Sequence, residues 1–251
     1  MSFHHMPVFF IQSNRISNRT VTIDDPLLSH LSKSLRIRKG EHVWVGDEHR
    51  VRYHVRVEHL DSSSLRASII ETVAGPPPPR APVILAQAVL KGDRMNWVIQ
   101  KATELGVTTI IPLLTSRVIA RTPAGRTRTA RERWQQIAID AAQQSEQWEL
   151  PDVTSPMTLP ELFQHVPHAA LRCALLERKA ERRLGALPID HAFQGTIVLA
   201  VGPEGGWTPE EMQELLDQRF YAVSLGESLL RSETAPLVAL SILQHELGNL
   251  G

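Results

Sequence analysis

Gly202-Pro203-Glu204-Gly205-Gly206 follows the apolar run of residues 196–201 and precedes Thr208-Pro209-Glu210-Glu211. The short β-branched run is typical of a buried parallel strand. Thr208 at the N-cap, Pro209 at the first helical position and Glu211 three residues after the cap indicate a helix start. Three glycines therefore lie where a strand leads into a helix, and in open α/β sheets ligands bind at such strand ends.

A second loop of the same kind lies further along the chain. Residues 222–225 have the pattern of a strand, and Arg231-Ser232-Glu233-Thr234-Ala235 precedes the apolar helix pattern of residues 237–247. Ser232 or Thr234 is placed to cap that helix. We expect both strand ends to face one pocket. The alternative is a pair of ordinary capped turns, with an ion pair between the arginine and the glutamate of the second loop.

A proline-rich segment, residues 75–82, divides the chain. Before it, short strands are predicted at residues 8–11, 41–45, 51–57 and 65–70, with a helix starting at Asp24-Asp25-Pro26. After it, strands at 83–86, 109–113 and 171–176 alternate with helices at about 93–105 and 129–145. We therefore expect a small β-barrel domain over residues 1–74, a linker over 75–82, and an α/β domain with a parallel sheet over 83–251.

The charges of the chain are unevenly distributed, although the net charge is zero. Residues 1–150 contain 20 Lys and Arg against 14 Asp and Glu, and residues 151–251 contain 7 against 13. Arginine forks match phosphate geometry, so the basic excess favours an RNA partner over a merely solvated helix face. Two clusters dominate it: Lys33, Arg36, Arg38 and Lys39, and then Arg117, Arg121, Arg126, Arg128, Arg131 and Arg133.

Composition and missing motifs narrow the function class. The single cysteine, Cys173, lies in an apolar run and is expected to be a core residue in a reducing compartment. Neither a signal-peptide pattern nor a long apolar run is present, so we expect a cytoplasmic protein without a membrane partner. The sequence has no Gly-x-Gly-x-x-Gly, P-loop, His-Glu-x-x-His or paired Cys-x-x-Cys motif. Dinucleotide redox chemistry, ATP hydrolysis and zinc chemistry are disfavoured, and no metal is expected.

Together with Gln100-Lys101-Ala102-Thr103-Glu104-Leu105-Gly106-Val107 and with Leu225-Gly226 ahead of Leu230, the two loops resemble the ribosomal RNA small subunit methyltransferase E family of the SPOUT superfamily. Members of that family methylate N3 of a uridine in 16S rRNA. The resemblance covers essentially the whole chain. It implies a SPOUT-type α/β domain with a trefoil knot, an N-terminal PUA-like β-barrel that helps to grip RNA, and a homodimer. It also implies S-adenosylmethionine as the methyl donor and 16S rRNA, in an assembled or nearly assembled small ribosomal subunit, as the partner.

The resemblance and the chemistry of uracil assign roles to the loop residues. Arg231 can stabilise negative charge on a uracil carbonyl or hold a phosphate, and Glu233 can accept a proton or orient Arg231. Glu204 contacts either the ligand or the amides of the following helix. The cofactor-binding residues implied are Leu176, Glu177, Gly202, Pro203, Glu204, Gly205, Gly206, Leu225, Gly226, Leu230, Ser232, Thr234 and Ala235. The candidate RNA-binding residues are Arg36, Arg38, Lys91, Arg94, Arg117 and Arg121.

Two departures from the family pattern and two rival functions stay open. Ser232 stands where the family more often has threonine, and Gln143-Gln144-Ser145-Glu146-Gln147 stands where relatives commonly have Glu-Gln-Ser-Gly-Arg. One rival function is a non-catalytic RNA-binding protein with the same fold. The other is a SPOUT enzyme that methylates ribose 2′-oxygen.

Overall fold

The computed structural model describes residues 8–25, 27–33, 36–119, 127–176, 180 and 182–250. The chain forms two compact units, one of Met1–Pro78 with Ala142–Leu150 and the other of Pro79–Ala141 with Pro151–Gly251. Each unit contains its own sheet and its own hydrophobic core.

The described residues of the first unit form a six-stranded mixed sheet, one helix and a 3-10 turn at Ser13–Arg15, and the unit also includes the last residues of a longer helix. Its elements are β1 (Val8–Phe10), β2 (Ile16–Ser17), β3 (Thr20–Ile23), α1 (Leu27–Lys33), β4 (His42–Gly46), β5 (Val51–Leu60) and β6 (Leu65–Ala74). The strand order is β1-β4-β5-β6-β3-β2, with β1 parallel to β4 and the other neighbours antiparallel. Alternate residues of β5, such as Val55 and Val57, are fully buried in the core. The four strands predicted before the proline-rich segment are confirmed, and β2 and β3 were not predicted.

Residues 142–150 group with this first unit, which a division at the proline-rich segment does not anticipate. Arg52 of β5 donates from Nη2 to the carbonyls of Glu146 and Gln147 at 2.6 and 3.1 Å. Its guanidinium also lies 3.7 Å above the ring centroid of Trp148. Glu146 has a φ of 52°, in the left-handed region that favours glycine. The departure from the family pattern thus falls at a backbone position where a glycine is the less strained residue.

The second unit alternates strands with helices, as predicted. Its elements are β7 (Val83–Ala88), α2 (Arg94–Glu104), β8 (Thr109–Leu113), α3 (Ser116–Ile119), α4 (Thr127–Gln144, whose last residues belong to the first unit), β9 (Asp152–Val153), α5 (Leu159–His165), β10 (Leu171–Leu175), β11 (Arg182–Arg183), β12 (Ile197–Val201), α6 (Pro209–Asp217), β13 (Tyr221–Ser224) and α7 (Ala235–Glu246).

The strands of this unit form one sheet in the order β11-β13-β10-β12-β7-β8-β9, and every neighbouring pair is parallel. One face packs on Met95 of α2, Trp134 of α4 and Leu240 of α7. The other face packs on Leu162 of α5 and Leu215 of α6. A parallel sheet buried on both faces explains the uninterrupted apolar runs of its central strands. The predicted α/β fold with a parallel sheet is confirmed.

The N-termini of three helices test the capping signals in the sequence. Thr208 and Glu211 form the predicted capping box at α6, with bonds of 2.9 and 3.2 Å between side chain and backbone. Thr158 and Glu161 form the same box at α5, a helix that was not predicted although it has the same signature. Thr234 occupies the N-cap position of α7 without any side-chain capping bond, so the expectation of a hydroxyl cap there was wrong.

Cys173 is fully buried in β10, and this burial raises the pKa of its thiol to about 12. Its prediction as a core residue is confirmed. In the described part of the chain, no helix is long and apolar enough to cross a membrane.

Candidate active site

The carboxyl ends of three adjacent strands bring the predicted loops to one edge of the sheet. β10 lies between β12 and β13 and pairs with both. Leu176, Gly202 and Leu225 each directly follow the last residue of one of these strands. Because all three strands are parallel, the residues that follow them emerge at the same edge.

The glycine loop, residues 202–206, is a tight turn that two of its glycines make possible. The Gly206 amide donates to the Pro203 carbonyl at 2.8 Å, and Gly206 has a φ of +70°. A Cβ on Gly202 would lie 3.0 Å from Nε1 of Trp207. That indole donates from Nε1 to the Leu175 carbonyl at 3.2 Å and is 7% exposed, so it has little freedom to move. Gly202 is therefore favoured because a Cβ would crowd the Trp207 side chain, and Gly206 is favoured because its φ lies in the left-handed region.

Glu204 ties the glycine loop to the loop that follows β7. Its Oε1 accepts from the Lys91 amide at 3.0 Å and from Nη2 of Arg94 at 3.0 Å. Burial acts to raise the pKa of Glu204, but the bond from the Lys91 amide, the bond from its own amide and the charges of Arg94 and Lys91 outweigh it, so the pKa is lowered. The sequence suggested that Glu204 contacts either the ligand or the amides of the following helix, but it did not suggest these contacts with Lys91 and Arg94.

Arg117 approaches the same loop from the segment that follows β8. Its Nη1 donates to the Gly206 carbonyl at 3.3 Å, and a Cβ on Gly205 would lie 3.0 Å from its Cδ. The aliphatic part of the arginine thus packs closely against Gly205. The structure brings this predicted RNA-binding residue against the predicted cofactor loop.

Glu211 links the start of α6 to the same segment after β8. Its Oε1 accepts from the Ser116 amide at 2.7 Å, while Oε2 accepts from the Thr208 amide at 2.9 Å. The residue is 5% exposed, and both of its bonds are partly buried. The capping box was predicted, but the bond to Ser116 was not, because it joins residues 95 positions apart.

The arginine loop, residues 225–234, differs from the glycine loop in its exposure and in its hydrogen bonds. Leu225 and Leu230 are half-buried and pack against the hydrophobic core on the face of the sheet that α2, α4 and α7 cover. Gly226 has a φ of +137°, and its added Cβ would meet nothing within 4 Å. Leu229 is 76% exposed. Among the described residues, every hydrogen bond of this loop stays within the loop and the first turn of α7.

Arg231 and Glu233 lie at the C-terminal end of the arginine loop. The Arg231 carbonyl accepts from the amides of Thr234 and Ala235, each at 2.9 Å. The side chain of Arg231 is exposed, whereas Glu233 is half-buried and accepts from the Ser232 hydroxyl at 3.4 Å. Between the described residues the structure shows no ion pair joining Arg231 to Glu233, contrary to the alternative considered from sequence. The guanidinium is therefore available to a ligand.

The remaining candidate residues divide between the two units. Leu176 is buried, and its amide donates to the Val223 carbonyl at 3.1 Å. Arg36 and Arg38 are exposed in the first unit. Lys91, Arg94 and Arg117 surround the glycine loop in the second. Glu177 and Arg121 lie outside the described residues.

Two buried polar side chains near this edge were missed by the sequence analysis. Gln87 of β7 is fully buried and pairs in register with Val201, the residue before the glycine loop. Thr115 is 1% exposed and immediately precedes Ser116. The side-chain oxygens of both have no hydrogen-bond partner among the described residues. A glutamine inside an apolar strand is the signal that could have singled out the first of them.

Within the described ranges, no group of three or more His, Cys, Asp or Glu side chains is arranged to hold a metal ion.

Comparison with known proteins identifies the family. The sequence model of an RNA methyltransferase domain matches residues 76–244. The chain is 36% identical to a ribosomal RNA small subunit methyltransferase E from Synechocystis, over 92% of this chain and 75% of that protein.

Solved structures agree with that match. The chain is similar to a ribosomal RNA small subunit methyltransferase E from Neisseria gonorrhoeae bound to S-adenosylmethionine, with a TM-score of 0.85, 33% identity and coverage of 96% of this chain and 97% of that one. It is also similar to a Legionella pneumophila protein in complex with the same cofactor, with a TM-score of 0.86, 25% identity and coverage of 96% and 97%. The chain belongs to the ribosomal RNA small subunit methyltransferase E family of RNA methyltransferases.

Proposed function

We propose that this protein transfers the methyl group of S-adenosylmethionine to N3 of a uridine in 16S rRNA. The observation that carries the proposal is the placement of the glycine loop and the arginine loop at one edge of the sheet, on either side of the end of β10. The related rRNA small subunit methyltransferases support an rRNA substrate, and the Neisseria structure supports the donor.

The residues at this edge fit such a donor. Gly226 faces open space, so a ligand can approach the backbone of the arginine loop. Leu225 and Leu230, which are half-buried, offer apolar surface to an adenine ring. Leu176, which is buried directly after β10, belongs to the same proposed set. The unpartnered side-chain oxygen of Gln87 can accept a hydrogen bond from a ligand. The other residues that would hold the donor are Glu177, Gly202, Pro203, Glu204, Gly205, Gly206, Ser232, Thr234 and Ala235.

The proposed chemistry assigns different tasks to Arg231 and Glu233. S-adenosylmethionine supplies an electrophilic methyl group on a sulfonium. N3 of uracil is a poor nucleophile while protonated, so the protein must remove that proton or stabilise the imidate that develops. The guanidinium of Arg231 stabilises the negative charge that develops on the uracil carbonyl oxygens. The carboxylate of Glu233 accepts the N3 proton, directly or through one water.

The wider assignments are part of the same proposal. Arg36, Arg38, Lys91, Arg94, Arg117 and Arg121 contact RNA phosphates. The first unit is a PUA-like barrel, the second is a knotted SPOUT domain, and the protein acts in the cytoplasm as a homodimer on an assembled or nearly assembled small subunit. No metal takes part in the reaction.

The test is incubation of the protein with methyl-tritiated S-adenosylmethionine and 30S subunits that lack the modification. The rRNA is then digested to nucleosides and chromatographed. Label in 3-methyluridine is the expected result. Label in a ribose-methylated nucleoside would contradict the specificity, and a lack of both label and donor binding would favour the non-catalytic RNA-binding protein.

A further inference from the structure

Three side chains hold the glycine loop in place, and one of them, Glu204, bonds to an exposed arginine that RNA can also contact. Trp207, the residue after the loop, donates to the Leu175 carbonyl, and Arg117 donates to the Gly206 carbonyl. Glu204 instead holds it through Arg94, whose side chain is 42% exposed. Arg94 is thus both an anchor of the predicted cofactor loop and an accessible cation.

The position of Arg94 in α2 needs an explanation. Arg94 is the first residue of the helix, where the positive end of the helix dipole disfavours a cation. The first turn of α2 contains no acidic residue, and Asp93 at the N-cap pairs with Arg133 at 3.5 Å. Glu204 provides the opposing charge from another strand end, 3.0 Å from Nη2. The contact with Glu204 thus stabilises the arginine at this position.

The geometry of the guanidinium leaves part of it free for a second anion. Nε of Arg94 donates to the Lys91 carbonyl at 3.3 Å, and Nη2 donates to Glu204. A guanidinium has five N–H donors in a planar fork, so Nη1 can bind a phosphate while Nη2 remains on the carboxylate. Lys91 is exposed beside it and adds a second positive charge.

We propose that Glu204 is a positioning residue that couples RNA binding to cofactor binding by joining Arg94 to the glycine loop. A phosphate bound to Arg94 fixes the guanidinium, which fixes Glu204 and with it the turn that faces the cofactor. RNA and S-adenosylmethionine then reinforce each other's binding by the same factor, because coupling between two sites is reciprocal. This inference rests on the proposed function.

The test measures binding, so that it does not depend on turnover. The dissociation constant of S-adenosylmethionine is determined with and without saturating 30S subunits that lack the modification, for wild type, Glu204→Gln, Arg94→Ala and the double variant. For wild type we expect binding about fivefold tighter or more with the subunits present, within the usual range of allosteric coupling. We expect that ratio to fall to about one in each variant, with no further change in the double variant.

A second readout separates coupling from simple structural support. Glutamine at position 204 can still accept the Lys91 amide, so Glu204→Gln is expected to fold. Arg94→Ala should reduce the slope of log affinity for the subunits against log salt by roughly 0.7–0.9 through the loss of one phosphate contact. Glu214→Gln, which makes the same charge change on the exposed face of α6, is the control and should keep the wild-type ratio.

The outcomes are distinguishable. A wild-type ratio near one, a ratio that persists in Glu204→Gln, or tighter donor binding in the absence of RNA would overturn the coupling and leave the methyltransferase proposal standing. Failure of the wild-type protein to bind S-adenosylmethionine at all would overturn both.

Discussion

The glycine loop and the arginine loop leave the same edge of the sheet but are held very differently. The glycine loop is tied to the ends of three other strands by Trp207, Glu204 and Arg117. The arginine loop, in the part of the chain that the structure describes, hydrogen-bonds only to itself and to the start of α7. Among the described residues, the glycine loop therefore has more side-chain links to neighbouring strand ends than the arginine loop has.

This difference suits the two tasks we propose for the loops. A turn with more such links loses less conformational entropy when it binds a constant cofactor. The residues that meet the target base must let RNA enter and leave, and such segments are drawn from the least stable parts of a structure. We therefore expect substitutions in the glycine loop to act mainly on donor affinity, and substitution of the exposed Arg231 in the arginine loop to act mainly on the chemical step.

Arg231→Ala tests the arginine loop with the largest expected effect. Loss of a group that stabilises developing charge should lower kcat by roughly 10²–10³-fold. The donor affinity and the thermal stability should stay near the wild-type values, because the side chain is exposed. Steady-state kinetics, calorimetry and thermal melting measure the three quantities.

The matched control for that change is Glu227→Ala, which removes an exposed charge from the same loop. It should leave kcat unchanged within about twofold, in line with the small energetic effects of ordinary surface substitutions. If Arg231→Ala retains full turnover, its catalytic role is wrong.

Gly202→Ala tests whether the glycine loop is as rigid as its contacts indicate. The new methyl group would lie 3.0 Å from Nε1 of the Trp207 indole, which cannot retreat without stretching its bond to Leu175. We expect a loss of about 1–3 kcal/mol in the free energy of unfolding, as for other overpacked sites, and weaker donor binding. Chemical denaturation and calorimetry provide the measurements.

Gly185→Ala is its control, since the nearest atom to the added Cβ there is 3.9 Å away, an ordinary contact. It should be neutral, or stabilising by about 0.4–1 kcal/mol through the unfolded state. Equal destabilisation by both substitutions would contradict the proposed role of Trp207.

Glu211→Gln tests the link between the start of α6 and the segment after β8. The amide group can accept only one of the two backbone bonds and sets a donor against the other amide. We expect a loss of about 2 kcal/mol in the free energy of unfolding.

Glu161→Gln in the exposed capping box of α5 should cost less, because the amide and hydroxyl of Thr158 both donate to the same oxygen, Oε2, which a glutamine carbonyl can replace. Thermal melting of the two variants side by side checks the difference. A larger loss at Glu161 would show that the bond to Ser116 contributes little.

Hydrogen exchange compares the loops without any substitution. The amides of Lys91 and Gly206 donate to Glu204 and Pro203, whereas residues 226–229 show no amide hydrogen bond to any described residue. We expect the bonded amides to exchange about tenfold more slowly or better, which corresponds to about 1.4 kcal/mol of local opening. Protection of residues 226–229 equal to that of the glycine loop would remove the distinction between them.

Prediction from sequence succeeded where the signal is local. The apolar runs predicted the central strands of the second unit, and the Thr208 signature predicted the start of α6. It failed where a short element lacks a strong pattern, as in β2 and β9, which are two residues long. It also failed at α7, where Thr234 has the right residue type for a cap but the wrong backbone conformation, with a φ of −88° and a ψ of −40°.

Some features of the candidate site were likewise predictable from local sequence, and others were not. Sequence placed Gly202, Leu225 and Leu176 at strand ends, and the sheet brings these strand ends to one edge. It gave no indication that Arg94 binds Glu204 or that Arg117 packs on Gly205, since those residues were read as RNA contacts. A basic side chain near a loop has the same sequence signature whether its partner is a phosphate or a carboxylate of the same protein.

The sequence by itself determined the local elements, the glycine turn and the family, because periodicity, capping and glycine geometry act over a few residues. The tertiary structure alone decided that β10 lies between β12 and β13, that residues 142–150 return to the first unit, and that Glu204 meets Lys91 across 113 positions. Strand order and contacts at that separation depend on how buried surfaces pack together, and no short window of sequence encodes that packing.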